Sequence, residues 1–264
     1  MKKYILSVVL LSTLLVVYSC EKDLIDQNQQ WQFTDASAAN ARFINTFTSA
    51  ITGVVTTRFL GYQDGNRFMG NGLVSPGTWP ITGYVSLKPG SSSLLLIQDR
   101  KILPITATLS TPAVPGSITP PVAGDTAMLK TITMDASKFY SHFLVGAAPT
   151  QELISVEDKI PALDSTQYAL RLANMVTDPL QPIRIFSRRE KRDIITNIAY
   201  KQISDFVILK FDPAPDTLDV FAQTGTVRLY GINTSPNSRG RTYTLYTHGR
   251  TGFRVPTISF YTNK

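Results

Sequence analysis

Along much of this chain, small hydroxyl residues separate large apolar ones. Tyr243-Thr244-Leu245-Tyr246-Thr247 and Thr257-Ile258-Ser259-Phe260-Tyr261-Thr262 are the clearest stretches. An alternation of period two puts one set of side chains on each face of a strand. Val, Ile, Thr, Tyr and Phe fill most of these positions and suit a half-buried pleated surface. Short strands are predicted at 42–47, 94–98, 102–109, 140–145 and 153–157. Further strands are predicted at 183–186, 194–200, 206–211, 218–222, 227–232 and 243–247. Turn signals recur about every eight to twelve residues, a spacing that suggests a sandwich or barrel. They include Asp64-Gly65-Asn66, Pro76-Gly77, Pro89-Gly90, Asp212-Pro213 and Ser235-Pro236-Asn237. No long stretch keeps a helical period.

The strand pattern is duplicated. Arg42-Phe43-Ile44-Asn45 matches Arg171-Leu172-Ala173-Asn174, and Tyr84-Val85 with Lys88 matches Phe206-Val207 with Lys210. Lys138-Phe139-Tyr140 leads to Gly146 as Arg241-Thr242-Tyr243 leads to Gly249. Ile154-Ser155-Val156 aligns with Ile258-Ser259-Phe260. Four matches in the same order indicate two tandem copies. The copies lie 129 residues apart at Arg42 and Arg171, and 103 apart at Tyr140 and Tyr243. The first copy is therefore the longer. Most of its excess lies between Lys88 and Lys138, where Pro104, Pro112, Pro115, Pro120 and Pro121 oppose sheet pairing. Residues 110–124 read as a long inserted loop. The junction between copies is expected at Lys159-Ile160-Pro161-Ala162.

The N-terminus changes the picture. Met1-Lys2-Lys3 precedes an apolar run from Tyr4 to Val17, and the only cysteine, Cys20, follows directly after Tyr18-Ser19. A run of about 14 residues is short for a membrane span, which needs roughly 20. With its basic start it is an export signal, and the terminal cysteine makes it resemble a bacterial lipoprotein signal peptide. That resemblance implies cleavage before Cys20 and lipidation of its thiol. Residues 21–38 then read as a flexible tether. Charged Glu21-Lys22-Asp23 after the cysteine resembles a surface-export signal, interrupted by Leu24. An outer-membrane protein is expected, lipid-anchored, with the cell surface slightly favoured over the periplasmic face. A lipidated thiol leaves no disulfide to help folding, so hydrophobic packing must hold the domains. Loss of Lys2 and Lys3 lowers the formal net charge from +7 to +5. Nucleic acid would need a dense basic face, and only one short basic cluster exists.

The repeat anchors, together with Phe143-Leu144-Val145-Gly146 and Ser155-Val156-Glu157-Asp158, resemble the DUF4397 family. Its members are common among lipoproteins of Bacteroidetes-type bacteria. The resemblance covers residues 39–264 as two copies, 39–160 and 161–264. It implies two tandem immunoglobulin-like β-sandwich domains and supplies no enzymatic activity. After Asn45 and Asn174 the chain departs from the family's usual Ser-Pro-Asp-Ala-Pro.

Candidate chemistry is sparse. His142 and His248 occupy different positions in the two copies, and no ligand spacing for a metal accompanies them. No Gly-x-Ser-x-Gly elbow is present, although a Ser-His-Asp triad can assemble from distant positions. Glu157 and Asp158 are neighbours on a strand end and point to opposite faces, a poor start for a carboxylate pair. Arg188, Arg189, Lys191 and Arg192 form a charged hairpin tip, either a solvated turn or a contact for anionic headgroups or polysaccharide. Tyr62, Phe68, Trp79 and Tyr84 lie in a Gly-rich stretch and form either core or a glycan platform. No cofactor or metal is expected. The chain reads as a non-enzymatic, lipid-anchored envelope protein of binding or adhesion type. The alternatives are a glycan-binding accessory lipoprotein of a polysaccharide uptake system and a cryptic envelope hydrolase. Partners are the membrane, through the anchor, and envelope proteins or glycans.

Overall fold

The structure, a computed structural model, describes residues 37–46, 59–69, 73, 76–98, 126–146, 151–176, 182–233, 235–250 and 254–263. Cys20, the signal peptide, nearly all of the tether, the strand expected at 102–109 and the loop at 110–124 lie outside these residues.

The described residues are all-β and form two sandwiches. The first holds β1 (Ala39–Asn45), β2 (Phe59–Gln63), β3 (Asn66–Arg67), β4 (Gly77–Trp79), β5 (Val85–Leu87), β6 (Gly90–Gln98), β7 (Thr126–Met134), β8 (Phe139–Val145) and β9 (Glu152–Glu157). The second holds β10 (Gln167–Ala173), β11 (Ile183–Ser187), β12 (Arg192–Ile198), β13 (Val207–Lys210), β14 (Leu218–Ala222), β15 (Arg228–Ile232), β16 (Thr242–Arg250) and β17 (Arg254–Thr262). In the first sandwich, the order β4-β1-β8-β9, with β5 also on β1, faces the order β3-β2-β6-β7. In the second, β13-β10-β16-β17 faces β12-β11-β14-β15. Pairing is antiparallel except for β1 beside β8 and β10 beside β16. The immunoglobulin-like sandwich is thus realised as two packed sheets around one core, twice over.

The repeat is visible in the register. Val85 pairs with Ala41 as Val207 pairs with Leu170. Tyr140 and Tyr243 each accept a backbone N–H from five residues upstream, Asp135 at 2.9 Å and Ser238 at 3.2 Å. The last anchor shifts by one residue, however. Phe143 pairs with Ile154 while Tyr246 pairs with Ser259, so Ile154 corresponds to Ser259 and not to Ile258. Asp158 therefore corresponds to Asn263, and their N–H groups bond the equivalent carbonyls of Phe139 and Thr242. A one-residue shift reverses the face of every side chain on the strand.

β1 is buried along its whole length, and β8 and β10 along all but their first residue. One face of each inner sheet fills its own sandwich. Ala41, Phe43 and Leu144 join the first core, and Leu170, Leu172 and Leu245 the second. The other face meets the opposite sandwich. Ile44, Phe143 and Val145 pack with Ala173, Met175, Tyr246 and Tyr261 in a third apolar cluster shared by both halves. The molecule is a stack of four sheets, and the two inner ones form the seam.

A polar network runs beside that cluster. Arg171 is ion-paired with Asp158, and its Nε donates to Thr244 Oγ1 at 2.8 Å. Asp158 also accepts from Ser141 Oγ and from the Tyr84 hydroxyl, both at 2.6 Å. Asn263 Nδ2 donates to Tyr84 at 2.9 Å, and Ser141 bonds Tyr261 at 2.8 Å. Arg42 spans the seam from Gly83 O (2.7 Å) to Thr262 O (2.6 Å), between the rings of Tyr84 and Tyr261. Arg171 lies over Phe206, the counterpart of Tyr84. Burial opposes the charge of Arg171, but Asp158 and Tyr261 together offset it and raise the guanidinium's pKa. Charges withdrawn from water persist only where partners satisfy them.

Candidate functional site

Two outer sheets remain to meet other molecules. The outer face of the second sandwich carries the denser chemistry. On β11 the period-two pattern buries Ile183, Ile185 and Ser187 and turns Arg184, Phe186 and Arg188 outward. Register places Phe186 opposite Asp219, and Arg184 opposite Phe221, whose other neighbour is Arg228. The Phe186 and Phe221 rings meet edge to face, with centroids 6.3 Å apart. Arg184 lies 4.5 Å over Phe221 and bonds Asp193 Oδ1 at 2.5 Å. Arg188 grips Asp219 through Nε at 2.6 Å and Nη2 at 3.2 Å, and Arg228 Nε reaches the same carboxylate at 2.5 Å. Asp219 is only 5% exposed, while Arg188 and Arg228 are 56% and 41% exposed. One buried carboxylate thus orients two guanidinium groups at the surface. Gly231 makes room for this, because a Cβ there would stand 2.5 Å from the Arg228 guanidinium and 2.6 Å from Leu218 O.

The basic hairpin tip adjoins this face. Asp216 holds it from below, accepting from Ser187 Oγ at 2.5 Å and from Arg189 N–H at 2.9 Å. Lys191 adopts a left-handed φ of 54° at the turn and is exposed. Arg189 folds back to Ala214 O and the Tyr168 hydroxyl, both at 3.1 Å. Arg192 pairs with Glu190 at 2.7 Å. Three of the four predicted side chains are therefore already bonded. The sequence located the tip but missed Arg184, Phe186, Phe221 and Arg228. Only the outward alternation of β11 hinted at the first two.

Of the two readings of the aromatic stretch, core holds for Phe68 and Trp79. Phe68 and Trp79 pack on Phe43 inside the first core, with centroids 5.1 and 6.4 Å away. Tyr84 lies in the seam, where burial holds its phenol well above the ordinary pKa. Of the four, only Tyr62 turns to the outer face, half-buried in a row with Leu95 and Leu129. The buried rings of Phe68 and Trp79 offer no face for a sugar to stack on.

The histidines are placed apart as well. His142 stacks on Phe43 at 4.9 Å and bonds Ser155 Oγ at 2.9 Å, with Nε2 buried and unpartnered. His248 bonds Ser259 at 2.8 Å. Among the described residues, no carboxylate bonds His142. Glu157 faces outward to Lys138 at 2.8 Å, while Asp158 turns into the seam. Among the described residues, no group of three metal-ligating side chains occurs.

Burial lowers the pKa of His142 from 6.5 to about 4. The unfolded chain binds a proton between these values that the folded chain refuses, so stability falls as pH drops through that window. The full effect is on the order of 3 kcal/mol. The second copy has Leu245 at this position. His142→Leu is expected to flatten the pH dependence, measured as urea midpoints at pH 7 and pH 4.5. Equal slopes for variant and wild type would contradict the buried neutral imidazole.

No protein-family model matches the chain, and no curated protein matches it. Among solved structures, it is similar to a carbohydrate-binding module from Eubacterium rectale solved with maltoheptaose, at 12% identity and a TM-score of 0.25, covering 85% of this chain and 97% of that one. It is also similar to a proposed adhesin from Bacteroides ovatus, at 11% identity and a TM-score of 0.22, covering 86% and 95%. At these scores neither likeness bears on what this chain binds.

Proposed function

We propose that this chain is a lipid-anchored protein of the cell envelope that works by binding or adhesion. The seam is the observation that carries the binding part. Both inner sheets are spent on holding the two halves together, which leaves two outer sheets as display surfaces. Among the described residues, Arg42, Ser141, Asp158, Arg171, Tyr261 and Asn263 bond across the seam from one half to the other. The anchoring part rests on Cys20 after its basic and apolar leader. The DUF4397 resemblance and an outer-membrane location, with the cell surface slightly favoured, belong to the same reading.

Growth with an alkyne-tagged fatty acid tests the anchor. Wild-type protein is expected to carry the label and Cys20→Ser to carry none. An unlabelled wild type would remove the anchor. Protease treatment of intact cells then separates the two faces of the membrane, and full protection would contradict surface display. A second reading, a glycan-binding accessory of polysaccharide uptake, is favoured by the phenylalanine rings set among arginines on the β11–β14–β15 face.

A further inference from the structure

We infer that the outer face of β11, β14 and β15 is a docking surface for an acidic polysaccharide, with sugar carboxylates received by Arg188 and Arg228. This rests on the binding role proposed above and names its ligand class. Six cations converge here: Arg184, Arg188, Arg189, Lys191, Arg192 and Arg228. Four carboxylates answer them: Glu190, Asp193, Asp216 and Asp219. The face keeps an excess of two positive charges. More telling is how the charge is held. Asp219 is buried and fixes Arg188 and Arg228 through their Nε sides, while both side chains stay about half exposed. A guanidinium has five N–H donors in a fixed fork. Those not spent on Asp219 remain for a second, planar oxyanion. The two arginines come from either side of β14 and close on the same carboxylate, so their guanidinium groups stand side by side.

The rings select among anions. Phe186 and Phe221 are half-buried between the arginines, with their rings nearly perpendicular to each other. An aromatic ring held at the surface among arginines offers a contact for the C–H face of a sugar ring. A lipid surface is served better by flexible lysines and by apolar side chains that project into the bilayer. Here arginines dominate, and the rings lie between them on the sheet. An acidic glycan, with carboxylates on rings that present C–H faces, matches both features. The pairing is partly electrostatic, so salt must weaken it.

The test is calorimetric titration of the full chain with polygalacturonate, with dextran as neutral glycan and phosphatidylglycerol vesicles as anionic lipid. Binding to polygalacturonate alone is expected, weakening roughly tenfold between low and high salt. Arg188→Ala with Arg228→Ala is expected to weaken it at least tenfold while thermal unfolding shows the fold intact. Arg188→Lys with Arg228→Lys should restore little, since an ammonium is a point charge. Absence of salt-sensitive binding overturns the inference, and so does undiminished binding by the alanine pair. Binding to the vesicles with none to polygalacturonate replaces the glycan by a membrane surface and also overturns it. Fatty-acid labelling of Cys20 is independent of all these outcomes, so failure here leaves the anchor standing.

Discussion

Arg171→Ala is expected to cost about 3–5 kcal/mol of folding stability. Arg171 and Asp158 are 3% and 0% exposed and come from opposite halves of the molecule. Removing the guanidinium leaves a carboxylate buried in the seam with only hydroxyl and amide donors, from Ser141, Tyr84 and Asn263. The cost is chiefly that of an uncompensated charge, not the worth of the pair. Asp158→Asn, which gives the first copy the residue found at Asn263, strands Arg171 in turn and should cost a similar amount. The variant with both changes should lose less than the two single losses combined, because neither buried charge is then left alone. Urea unfolding of the four proteins measures this. A loss below about 1 kcal/mol for Arg171→Ala is what an exposed pair would give, and it would mean that water reaches the seam.

The second large effect is apolar. Phe143→Ala removes a fully buried ring from the cluster that both halves share. Phenylalanine truncations in cores cost about 3–5 kcal/mol. Leu170→Ala, in the second core alone, should cost about 2–5 kcal/mol by the same rule. The two variants should differ in kind. Loss of Phe143 weakens what couples the sandwiches, so unfolding should broaden or divide into two steps. Loss of Leu170 should lower the whole transition without dividing it. Fluorescence and circular dichroism followed on the same samples distinguish these outcomes.

Much of the fold was written in the residues. The copies were legible because Arg42 and Arg171, or Tyr140 and Tyr243, do the same structural work in each sandwich. Most strands were legible from alternation and turn residues. β2, β3, β4 and β7 were not, since they are short or follow stretches crowded with glycine and proline, and β10 was read as a repeat anchor without being assigned as a strand. The final anchor was misaligned by one because Ile-Ser recurs at Ile154 and Ile258. Hydrogen bonding, not residue likeness, decides that Asp158 answers Asn263. The seam was the larger omission. Period two tells which residues share a face, but not what covers it. An arginine inside Ala41-Arg42-Phe43-Ile44 reads as a solvent position, yet the opposite sandwich buries it. The same gap explains Tyr84, Phe68 and Trp79, whose aromatic character fits core and platform equally. At the basic tip, composition located Arg188. Its partner Asp219 lies 31 residues away, and Arg228 adds to the same site from another strand.

The claim on which the rest depends is that the two sandwiches form one cooperative body. Differential scanning calorimetry of the purified protein tests it most directly. A fused seam predicts one transition whose calorimetric and van't Hoff enthalpies agree. Two resolved transitions in the wild type, each with about half the heat, would contradict it.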